Sequence, residues 1–459
     1  MTNTQALTCF KAYDVRGKLG EELNKEIAYR IGRATAQTLN ANTLALGYDA
    51  RETSPELARE VAKGVCDNGT DVLDIGLAGT EEIYAAVSEF GACAGIEITA
   101  SHNPIEYNGM KIVKHGSQPL SEVEFSSIKS LAEKNNYISS KRPGMMADKR
   151  ISARKSYIEK VMGFVDLRSL QPLKIVINSG NGAAGPTVDA LKQKMEEESV
   201  KTNFVYANHN PDSLFPNGIP NPLLKANRSL TTDFVISEKA DFGVAFDGDF
   251  DRCFLFDDLG NFIPGEYVVG LLSEVFLSKE KGATIVHDPR VIWNTMDVVN
   301  QYGGLAVSSK TGHAFVKAAM RDNNAIYGGE ISAHHYFRDF AYCDSGMIPW
   351  LMIWELLSQS NLSLSDLISK RKNRFPSSGE INFTVADADK CMEMIYDLFA
   401  SGAIIIDESD GLSMSFETWR FNLRKSNTEP FVRLNVETMS DHLLLREKTE
   451  KFKEIIINI

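Results

Sequence analysis

The sequence predicts an α/β protein of four domains around a central cleft. Three similar α/β domains with mixed, mostly parallel sheets precede a C-terminal α+β domain with an antiparallel sheet. The first three quarters repeat an apolar strand-like run, a Gly/Asp/Asn-rich loop and an amphipathic helix, which is typical of α/β units. From about Lys370, short strand-like runs and two helical segments follow instead. A chain of 459 residues also exceeds one ordinary core, so several domains are expected.

Three units in the repeated part begin with a strand that runs directly into a polar loop. The first opens at TLALGYDARETSPELAREVAKGV, where an apolar run predicts a strand and the spacing of Leu57, Val61 and Val65 predicts one face of a helix. The second and third open at LKIVINSGNGAAGPTVDAL and ATIVHDPRVIWNTMDVV. The repetition predicts three similar domains in succession.

Each unit later contains a second strand that leads into a loop of reactive side chains: AGIEITASHNP, DFGVAFDGDFDR and AIYGGEISAHHYF. Ligands of open α/β sheets gather at the carboxyl ends of strands, so these loops are expected to meet in one cleft. Linkers are expected near residues 141–152, 257–261 and 370–378. The predicted domains are residues 1–150, 151–257, 258–370 and 371–459.

Composition and charge limit the partners that this chain can have. The net charge is −12, and nucleic-acid binding needs a broad excess of Lys and Arg, so no nucleic-acid partner is expected. No apolar run approaches the roughly 20 residues of a membrane span, and the N-terminus lacks a signal-peptide pattern. Six scattered cysteines indicate neither a zinc site nor disulfides. We expect a cytoplasmic protein with no membrane contact and no obligate protein partner, in which an anionic substrate meets a local positive cluster.

The first loop, TASHNP, places Ser101 just past an apolar strand with His102 beside it. A hydroxyl at the end of a strand is available to a ligand. Considered alone, however, S-H-N-P is more often an ordinary turn closed by proline. The functional interpretation therefore depends on the other loops.

The second loop, FDGDFDR, alternates Asp247, Asp249 and Asp251 with smaller or apolar residues before Arg252. Magnesium prefers oxygen ligands and usually completes its shell with phosphate or water, so three carboxylates with open positions suit it. An EF-hand needs glycine at the sixth position and usually glutamate at the twelfth, where this chain has Arg252 and Asp258. The loop predicts a magnesium site that can also accept a phosphoryl oxygen.

The third loop, GGEISAHHYF, alternates Glu330, Ser332 and His334 after a short apolar run. A carboxylate, a hydroxyl and an imidazole suit the hydroxyls of a sugar, although a strand end with solvated polar residues explains this loop equally well.

A fourth segment, RKSNTEPFVR, lies near the C-terminus. Guanidinium groups can bind phosphate in two contacts, and Ser, Thr and backbone N–H groups add donors, so the segment fits a phosphate-binding loop. A bland turn beside exposed arginines is the simpler interpretation of this segment in isolation. Its candidate residues are Arg424, Ser426, Asn427, Thr428 and Arg433.

Together, the four segments resemble the α-D-phosphohexomutase superfamily, and within it the bacterial phosphomannomutases, over essentially the whole chain. That family takes a phosphoserine loop, a metal loop, a sugar loop and a phosphate loop from four successive domains. The resemblance implies that Ser101 is the phosphoserine. Its phosphate would bind one Mg²⁺ together with Asp247, Asp249 and Asp251. Glu330 and Ser332 would hold O3 and O4 of the sugar, with His334 in the same loop. The idle phosphate would be bound by Arg424, Ser426, Asn427 and Thr428.

The resemblance also assigns residues outside the four loops. Tyr13 and Arg16 of KAYDVRG match the family's N-terminal active-site segment. His102 and Lys111 match its candidate acid/base positions. Further positions that match the lining of its cleft are Arg252, Arg290, Lys310 and His313.

Two residues depart from the family's pattern. Ala333 stands where many relatives have glycine, and Arg290 stands where several have lysine. Neither change removes a required functional group. Arg290 could contact phosphate twice, but it could not accept a proton near neutral pH.

The resemblance implies an isomerase that interconverts mannose 6-phosphate and mannose 1-phosphate. Hexose 1,6-bisphosphate would be its intermediate and activator, and its product would supply GDP-mannose for surface polysaccharides such as lipopolysaccharide. Contacts to O3 and O4 do not sense C2, so glucose phosphates are expected substrates as well. Phosphoglucomutase or phosphoglucosamine mutase remains open as the main activity. A metal-dependent sugar phosphatase and a non-catalytic sugar-phosphate-binding protein are the alternatives of other classes.

Overall fold

The computed structural model describes residues 6–425 and 431–457. The strands are β1 (Val15–Lys18), β2 (Thr43–Tyr48), β3 (Asp71–Leu77), β4 (Ala94–Ile98), β5 (Tyr107–Lys114), β6 (Gln118–Pro119), β7 (Met146–Asp148), β8 (Lys174–Asn178), β9 (Asn203–Ala207), β10 (Phe242–Phe246), β11 (Cys253–Phe256), β12 (Thr284–His287), β13 (Leu305–Ser308), β14 (Tyr327–Gly329), β15 (His335–Phe337), β16 (Cys343–Asp344), β17 (Ile381–Thr384), β18 (Ile405–Asp407), β19 (Leu412–Ser415), β20 (Trp419–Lys425) and β21 (Phe431–Thr438).

The helices are α1 (Lys25–Thr38), α2 (Ser54–Asp67), α3 (Thr80–Glu89), α4 (Glu122–Lys134), α5 (Arg150–Met162), α6 (Ala184–Glu197), α7 (Ser229–Glu238), α8 (Gly265–Lys279), α9 (Trp293–Gln301), α10 (His313–Asp322), α11 (Met347–Gln359), α12 (Leu364–Arg374), α13 (Ala388–Phe399) and α14 (His442–Ile457). Within the described ranges, no helix is both long enough and apolar enough to cross a membrane.

The chain forms two compact units. The first contains the described residues up to Phe262 together with Asp339–Asn361, and the second contains Ile263–Arg338 and the described residues from Leu362 onward.

The first sheet of the first unit has seven strands in the order β1-β5-β4-β2-β3-β7, with β6 paired to β5. Strand β2 runs parallel to β3 and β4, whereas β5 runs antiparallel to β4. Helix α2 forms as predicted, because Leu57, Val61 and Val65 bury one face in the core and Pro55 stands in its first turn.

The second sheet of this unit has the order β11-β10-β8-β9. Its three strands β10, β8 and β9 are parallel, and β11 runs antiparallel to β10. All five residues of β10 are buried, as expected for a parallel strand covered on both faces.

Helix α11 packs in the first unit although its sequence lies between two segments of the second. The Glu81 carboxylate of α3 accepts hydrogen bonds from the amides of Gly346 and Met347, at 3.0 and 3.2 Å, and so satisfies the N-terminus of α11. Trp350 and Trp354 pack edge-on against Phe204 of β9, with ring centroids 5.8 and 5.6 Å apart. These contacts fix the helix to both sheets of the first unit.

Within the second unit, β13, β12 and β14 are parallel and β15 is antiparallel to β14. The C-terminal sheet is antiparallel throughout, in the order β17-β21-β20-β19-β18. Helices α13 and α14 cover it around a core that includes Phe399, Phe421 and Phe452. The predicted fold class is thereby confirmed.

Two of the expected linkers contain regular structure. Strand β7 lies inside residues 141–152 and pairs with β3, and α5 begins at Arg150. The three residues of β7 are exposed, so backbone pairing forms a strand where no apolar pattern predicts one. Helix α12 extends to Arg374, inside the expected linker at 370–378.

The three predicted loops occupy the same topological position in their sheets. Each leaves the carboxyl end of a strand in the parallel part, namely β4, β10 or β14, and returns as the antiparallel neighbour β5, β11 or β15. The pairs that close these hairpins are Ile98 with Met110, Phe246 with Cys253, and Gly329 with His335. Each sheet therefore carries its reactive loop at one equivalent connection.

Candidate active site

Ser101 is held at the start of the first loop in an uncommon backbone conformation. It lies three residues beyond β4, and its φ of +49° falls in the left-handed region that L residues rarely adopt. The hydroxyl Oγ donates to Asp247 Oδ2 at 2.9 Å and lies 3.2 Å from His102 Nδ1. The predicted serine and the first carboxylate of the second loop are therefore in direct contact.

The two loops approach closely at Gly248. A Cβ atom at this position would lie 2.6 Å from the carbonyl oxygen of Ser101, closer than non-bonded atoms can approach. Glycine is thus required here to let the Ser101 loop and the aspartate loop meet.

Arg51, which the sequence interpretation missed, holds the backbone of the Ser101 loop through hydrogen bonds. Its guanidinium donates to the carbonyl oxygens of Ser101 and Asn103 at 2.9 and 2.5 Å, and to those of Pro104 and Tyr107 at 2.9 and 3.1 Å. The side chain is 2% exposed. Its position in the polar loop that follows β2 is the signal that the sequence offers.

Asp49 and Thr99 complete this support. The Thr99 hydroxyl donates to Asp49 Oδ2 at 2.7 Å and accepts from the amide of Ser101 at 2.8 Å. Asp49 Oδ1 accepts from the hydroxyl of Ser54 at 2.6 Å. The left-handed conformation of Ser101 is therefore held by a chain of buried hydrogen bonds.

The three aspartates of the second loop converge on one point. Asp247, Asp249 and Asp251 are buried, and one carboxylate oxygen from each lies within 4.8 Å of the other two. Asp249 Oδ2 accepts from the hydroxyl of Thr80 at 2.6 Å. Among the described residues, Oδ1 of Asp249 and Oδ1 of Asp251 have no hydrogen-bond partner. Because buried polar atoms are normally paired, these two oxygens are suited to ligate a cation.

Two cations lie against the aspartates. Lys111 Nζ donates to Asp249 Oδ2 at 2.7 Å and to Asp251 Oδ2 at a close distance. Arg252 contacts Asp247 Oδ2 through two nitrogens, at 2.7 and 3.0 Å. The positive charge that an anionic substrate requires is thus concentrated beside the acidic loop.

Charge and burial shift the pKa values of this group. Burial alone would lower the pKa of Lys111, but Asp249 and Asp251 outweigh it and raise that pKa above its usual value. Burial, and then Asp249, raise the pKa of Asp251 well above its usual range. Arg252, and then burial, lower the pKa of His102 well below its usual value. Lys111 is therefore charged and His102 neutral near neutral pH.

The N-terminal candidates differ in their surroundings. Arg16 of β1 donates to the carbonyl oxygen of Thr99 at 2.7 Å, which places it beside the Ser101 loop. Tyr13 is 43% exposed and lies in the turn closed by the bridge between Phe10 and Val15.

In the second unit, Glu330 is fixed by two donors. Its Oε1 accepts from the hydroxyl of Tyr336 at 2.6 Å and its Oε2 from the amide of Gly312 at 2.9 Å. The second bond brings the loop that carries Lys310 and His313 beside Glu330.

The rest of the third loop also has defined local geometry. Ser332 Oγ lies 3.2 Å from His334 Nδ1. The backbone of Ala333 has a φ of +69°, which explains physically why glycine is favoured at this position.

Arg290 is oriented by Asp288, which the sequence interpretation also missed. Asp288 Oδ2 accepts from Arg290 Nη2 at 2.7 Å and from the amide of Ile331 at 2.8 Å. Asp288 thus joins Arg290 to the third loop.

Arg424 and Arg433 face each other across β20 and β21. Glu380 lies between them, with Oε2 at 3.1 Å from Arg424 Nη2 and Oε1 at 3.6 Å from Arg433 Nη1. The other three residues predicted for the fourth loop lie outside the described residues: Ser426, Asn427 and Thr428.

The chain belongs to the phosphoglucomutase/phosphomannomutase family, whose members are phosphohexomutases. Models for its alpha/beta/alpha domains I, II and III match residues 8–138, 155–260 and 264–375, and the C-terminal domain model matches residues 380–453. These matches and the two loops that meet at Ser101 define an enzyme of this class.

Two relatives are similar to this chain over nearly its whole length. A phosphomannomutase of Escherichia coli is 53% identical over 454 residues, which cover 98% of this chain and 99% of that protein. A protein of Xanthomonas campestris named phosphohexose mutases is 47% identical over 98% of this chain and 99% of its own length.

Solved structures agree in fold. A phosphoglucomutase/phosphomannomutase family protein of Burkholderia thailandensis has a TM-score of 0.86 at 28% identity, covering 97% of this chain and 96% of that one. The N-acetylphosphoglucosamine mutase of Aspergillus fumigatus, solved with GlcNAc-6P and magnesium, has a TM-score of 0.60 at 14% identity, covering 96% and 94%. The second likeness shows the fold alone.

Proposed function

We propose that this chain is a phosphomannomutase that interconverts mannose 6-phosphate and mannose 1-phosphate through a phosphoryl group carried on Ser101. The contact between Ser101 Oγ and Asp247 Oδ2, at 2.9 Å, is the observation that carries the proposal. It joins a nucleophilic hydroxyl to a cluster of carboxylates and cations suited to phosphoryl transfer. The E. coli phosphomannomutase, 53% identical over nearly the whole chain, supports mannose as the sugar.

The acidic cluster fits one Mg²⁺. Asp247, Asp249 and Asp251 offer hard oxygen ligands within 4.8 Å of one another. Among the described residues, Asp249 and Asp251 each keep one oxygen without a hydrogen-bond partner. The phosphate on Ser101 would add a fourth protein-derived ligand. Bound there, Mg²⁺ would disperse the negative charge of the phosphoryl group during transfer.

Ser101 would act first as phosphoryl donor and then as acceptor. A hydroxyl oxygen of the hexose phosphate attacks the phosphorus, the bond from phosphorus to Ser101 Oγ breaks, and the proton of the sugar hydroxyl ends on Ser101 Oγ. The product is a hexose 1,6-bisphosphate. After the sugar turns around, Ser101 Oγ attacks the other phosphorus, the bond from that phosphorus to the sugar oxygen breaks, and the serine proton ends on the sugar oxygen.

The two acid/base candidates of the first unit suit different tasks. Lys111 bonds to two aspartates and keeps its proton, so it would stabilise the anionic phosphoryl group as a cation. Neutral His102 accepts from Arg252 at 2.6 Å through the same nitrogen that faces Ser101. The hydroxyl proton of Ser101 is donated to Asp247, so none lies between Ser101 and His102. We therefore assign His102 to orienting Arg252 beside the phosphoryl group rather than to donating a proton.

The second unit would bind the sugar and its idle phosphate. Glu330, held by Tyr336 and Gly312, presents a fixed carboxylate for two sugar hydroxyls, with Ser332 and His334 in the same loop. Lys310 and His313 would line this site by the family resemblance, which also assigns Tyr13 to substrate binding. Arg290, Arg424 and Arg433 would hold the idle phosphate, together with the residues of the fourth loop.

A broader substrate range is favoured by one comparison. The Xanthomonas protein at 47% identity is named for hexoses rather than for mannose. The contacts proposed for Glu330 and Ser332 do not sense C2, where mannose and glucose differ. We therefore propose glucose phosphates as second substrates.

Ser101→Ala should lower turnover of mannose 1-phosphate by at least about 10³-fold, because it removes the hydroxyl that is proposed to carry the phosphoryl group. Coupled assays would measure isomerised sugar phosphate and free phosphate side by side, with mannose, glucose and glucosamine 1-phosphates as substrates. Near-normal activity of Ser101→Ala would refute the proposal. Stoichiometric release of free phosphate would indicate a phosphatase instead.

The product would supply GDP-mannose for surface polysaccharides, from a reaction in the cytoplasm. The six cysteines form no disulfide, which is consistent with a reducing compartment. Fractionation of cells that express the chain would test the location.

A further inference from the structure

Three arginines of the second unit surround one carboxylate. Glu380 Oε2 lies 3.1 Å from Arg424 Nη2 and 3.6 Å from Arg290 Nη1, while Oε1 lies 3.6 Å from Arg433 Nη1. Arg290 comes from the loop after β12, and the other two come from neighbouring strands of the C-terminal sheet. Glu380 is thus the shared counter-ion of a cationic cluster built from two sheets.

The arginine cluster has further buried N–H donors that an anion could use. The Nε atoms of Arg290, Arg424 and Arg433 are all buried and, within the described part of the chain, none has a hydrogen-bond partner. Buried donors are normally satisfied, so these three N–H groups leave donors for an anion with more acceptor oxygens than a carboxylate has. A phosphate group has that property.

The arginines also need an anion for electrostatic reasons. Burial, and then the charge of Arg290, lower the pKa of Arg424, whereas Glu380 opposes both effects. Like charges held together in a partly buried site repel unless a counter-ion is present. Glu380 supplies that counter-ion when no phosphate does.

Glu380 is held loosely enough to leave. Only its contact with Arg424 is within hydrogen-bonding distance, and its side chain is 26% exposed. It precedes β17 and follows Gly379, whose φ of +64° lies in the region that favours glycine. By contrast, Asp288 is buried and binds Arg290 at 2.7 Å. The site therefore contains one permanent carboxylate partner and one exchangeable partner.

We propose that Glu380 is an internal competitor of the substrate's phosphate: its carboxylate occupies the arginine cluster in the free protein and is displaced when phosphate binds. This inference rests on the proposed function, because the displacing group is the idle phosphate of a hexose phosphate. Glu380 thereby weakens phosphate binding. It also speeds phosphate release, because the returning carboxylate takes over the arginines.

This exchange matters for a mutase in particular. The bisphosphate intermediate must release one phosphate from the arginines, turn around and present the other. A cluster without an internal competitor would hold the intermediate too tightly. Glu380 therefore sets the balance between affinity and turnover.

Glu380→Gln tests the inference directly. Titration of the full chain with inorganic phosphate at low ionic strength should give a dissociation constant about 3- to 10-fold lower than that of the wild type. In steady-state assays, both KM and kcat should fall. A purely structural role would raise KM or lower stability instead.

Three further variants test whether the gain in phosphate affinity comes from losing the charge of Glu380 beside the arginines. Glu393→Gln removes an exposed charge from α13 and should leave phosphate affinity within about twofold of the wild type, since surface charges are screened. Glu380→Asp keeps the charge and should move the affinity back toward the wild-type value. In an Arg424→Gln background, Glu380→Gln should give a smaller gain in affinity, because the arginine that Glu380 contacts most closely is gone.

An unchanged or weaker affinity of Glu380→Gln for phosphate would overturn the inference, as would an equal gain in Glu393→Gln. Phosphate binding needs no turnover, so the two proposals fail separately. Mutase activity with unchanged phosphate affinity in Glu380→Gln would overturn only the role of Glu380. If Glu380→Gln binds phosphate more tightly but the wild-type chain has no mutase activity, only the proposed function is overturned.

Discussion

The charged groups of the two units are held in contrasting ways. In the first unit, the carboxylates of Asp247 and Asp249 are buried and bonded to Arg252 and Lys111 at 2.7 Å. In the second unit, the side chains of Glu380 and Arg433 are 26% and 32% exposed, and their oxygen and nitrogen lie 3.6 Å apart. One site is rigid and tightly paired, and the other is loosely paired.

This difference matches what each site is proposed to do. The phosphoryl group on Ser101 always enters and leaves the same oxygen, so a fixed arrangement of charges lowers the barrier in every transfer. The idle phosphate is bound and released within each cycle, which favours weaker and exchangeable contacts. The chain thus provides local positive charge despite a net charge of −12.

The largest effect is expected from breaking the rigid site. Asp249→Asn removes one charge from the acidic cluster and weakens the pair with Lys111, so kcat should fall at least about 10²-fold. The stabilisation of the protein by Mg²⁺, measured as a shift in Tm, should fall as well. Asp233→Asn, on the exposed face of α7, is the matched control and should change neither quantity. Unaltered Mg²⁺ dependence in Asp249→Asn would show that the metal lies elsewhere.

A smaller loss is expected from loosening the support of Ser101. Arg51→Lys keeps the charge but cannot reach the carbonyl oxygens of Ser101, Asn103, Pro104 and Tyr107 together. Displacement of the loop should lower kcat about 10- to 100-fold, because small errors of position are costly in phosphoryl transfer. Arg59→Lys, an exposed arginine on α2, should behave as wild type. A normal kcat in Arg51→Lys would mean that Thr99 and Asp49 suffice to hold the loop.

The sequence predicted the loops at the strand ends better than the residues that hold those loops in place. Ser101 and the aspartates follow apolar strands, so the pattern placed them at strand ends, and the combination of the four loops then indicated their role. Arg51 lies 50 residues from Ser101, and only the pairing of β2 with β4 brings them together. Glu380 precedes an ordinary strand and carries no motif. Contacts between distant segments depend on sheet order and register, which local patterns do not encode.

The packing partners of α11 likewise cannot be predicted from local sequence patterns. Its apolar sequence predicts a buried helix but not the partner that buries it. Glu81 and Phe204, which anchor it, lie more than 140 residues earlier in the chain. Likewise, β7 forms through backbone bonds to β3 while its own side chains are exposed.

A buried carboxyl group of the first unit should make the stability of the protein depend on pH. Both oxygens of Glu97 are buried and, among the described residues, lack a hydrogen-bond partner. Burial, and then Asp49, raise the pKa of Glu97 well above its usual value. Below about pH 4 both the folded and unfolded states are protonated. As the pH rises, the unfolded state loses its proton first, so the wild type loses up to about 1.4 kcal/mol of stability per pH unit until the folded pKa is reached.

Glu97→Gln removes this loss. The difference in unfolding free energy between variant and wild type should therefore move in favour of the variant between pH 4 and pH 8. Urea unfolding at several pH values would measure it, with the exposed Glu52→Gln as control. A difference that does not change with pH would show that the carboxyl titrates alike in both states.

The smallest effect is expected in the sugar loop of the second unit. Ala333 has a φ of +69°, where glycine has no steric penalty. Ala333→Gly relieves that strain but gives the unfolded chain more freedom, so the unfolding free energy should change by no more than about 1 kcal/mol. Thermal unfolding would measure it, and KM for mannose 1-phosphate should stay within about twofold because Glu330 keeps both of its donors. A large rise in KM would show that the methyl group itself positions the loop.

The phosphorylation state of Ser101 tests the central claim most directly. Intact-protein mass spectrometry, after incubation with a hexose 1,6-bisphosphate and removal of the sugar, should show one added phosphoryl group on the wild type and none on Ser101→Ala. Peptide mapping should place that group on Ser101. Turnover by a protein whose Ser101 stays unmodified throughout, or whose phosphoryl group maps to another residue, would contradict the account.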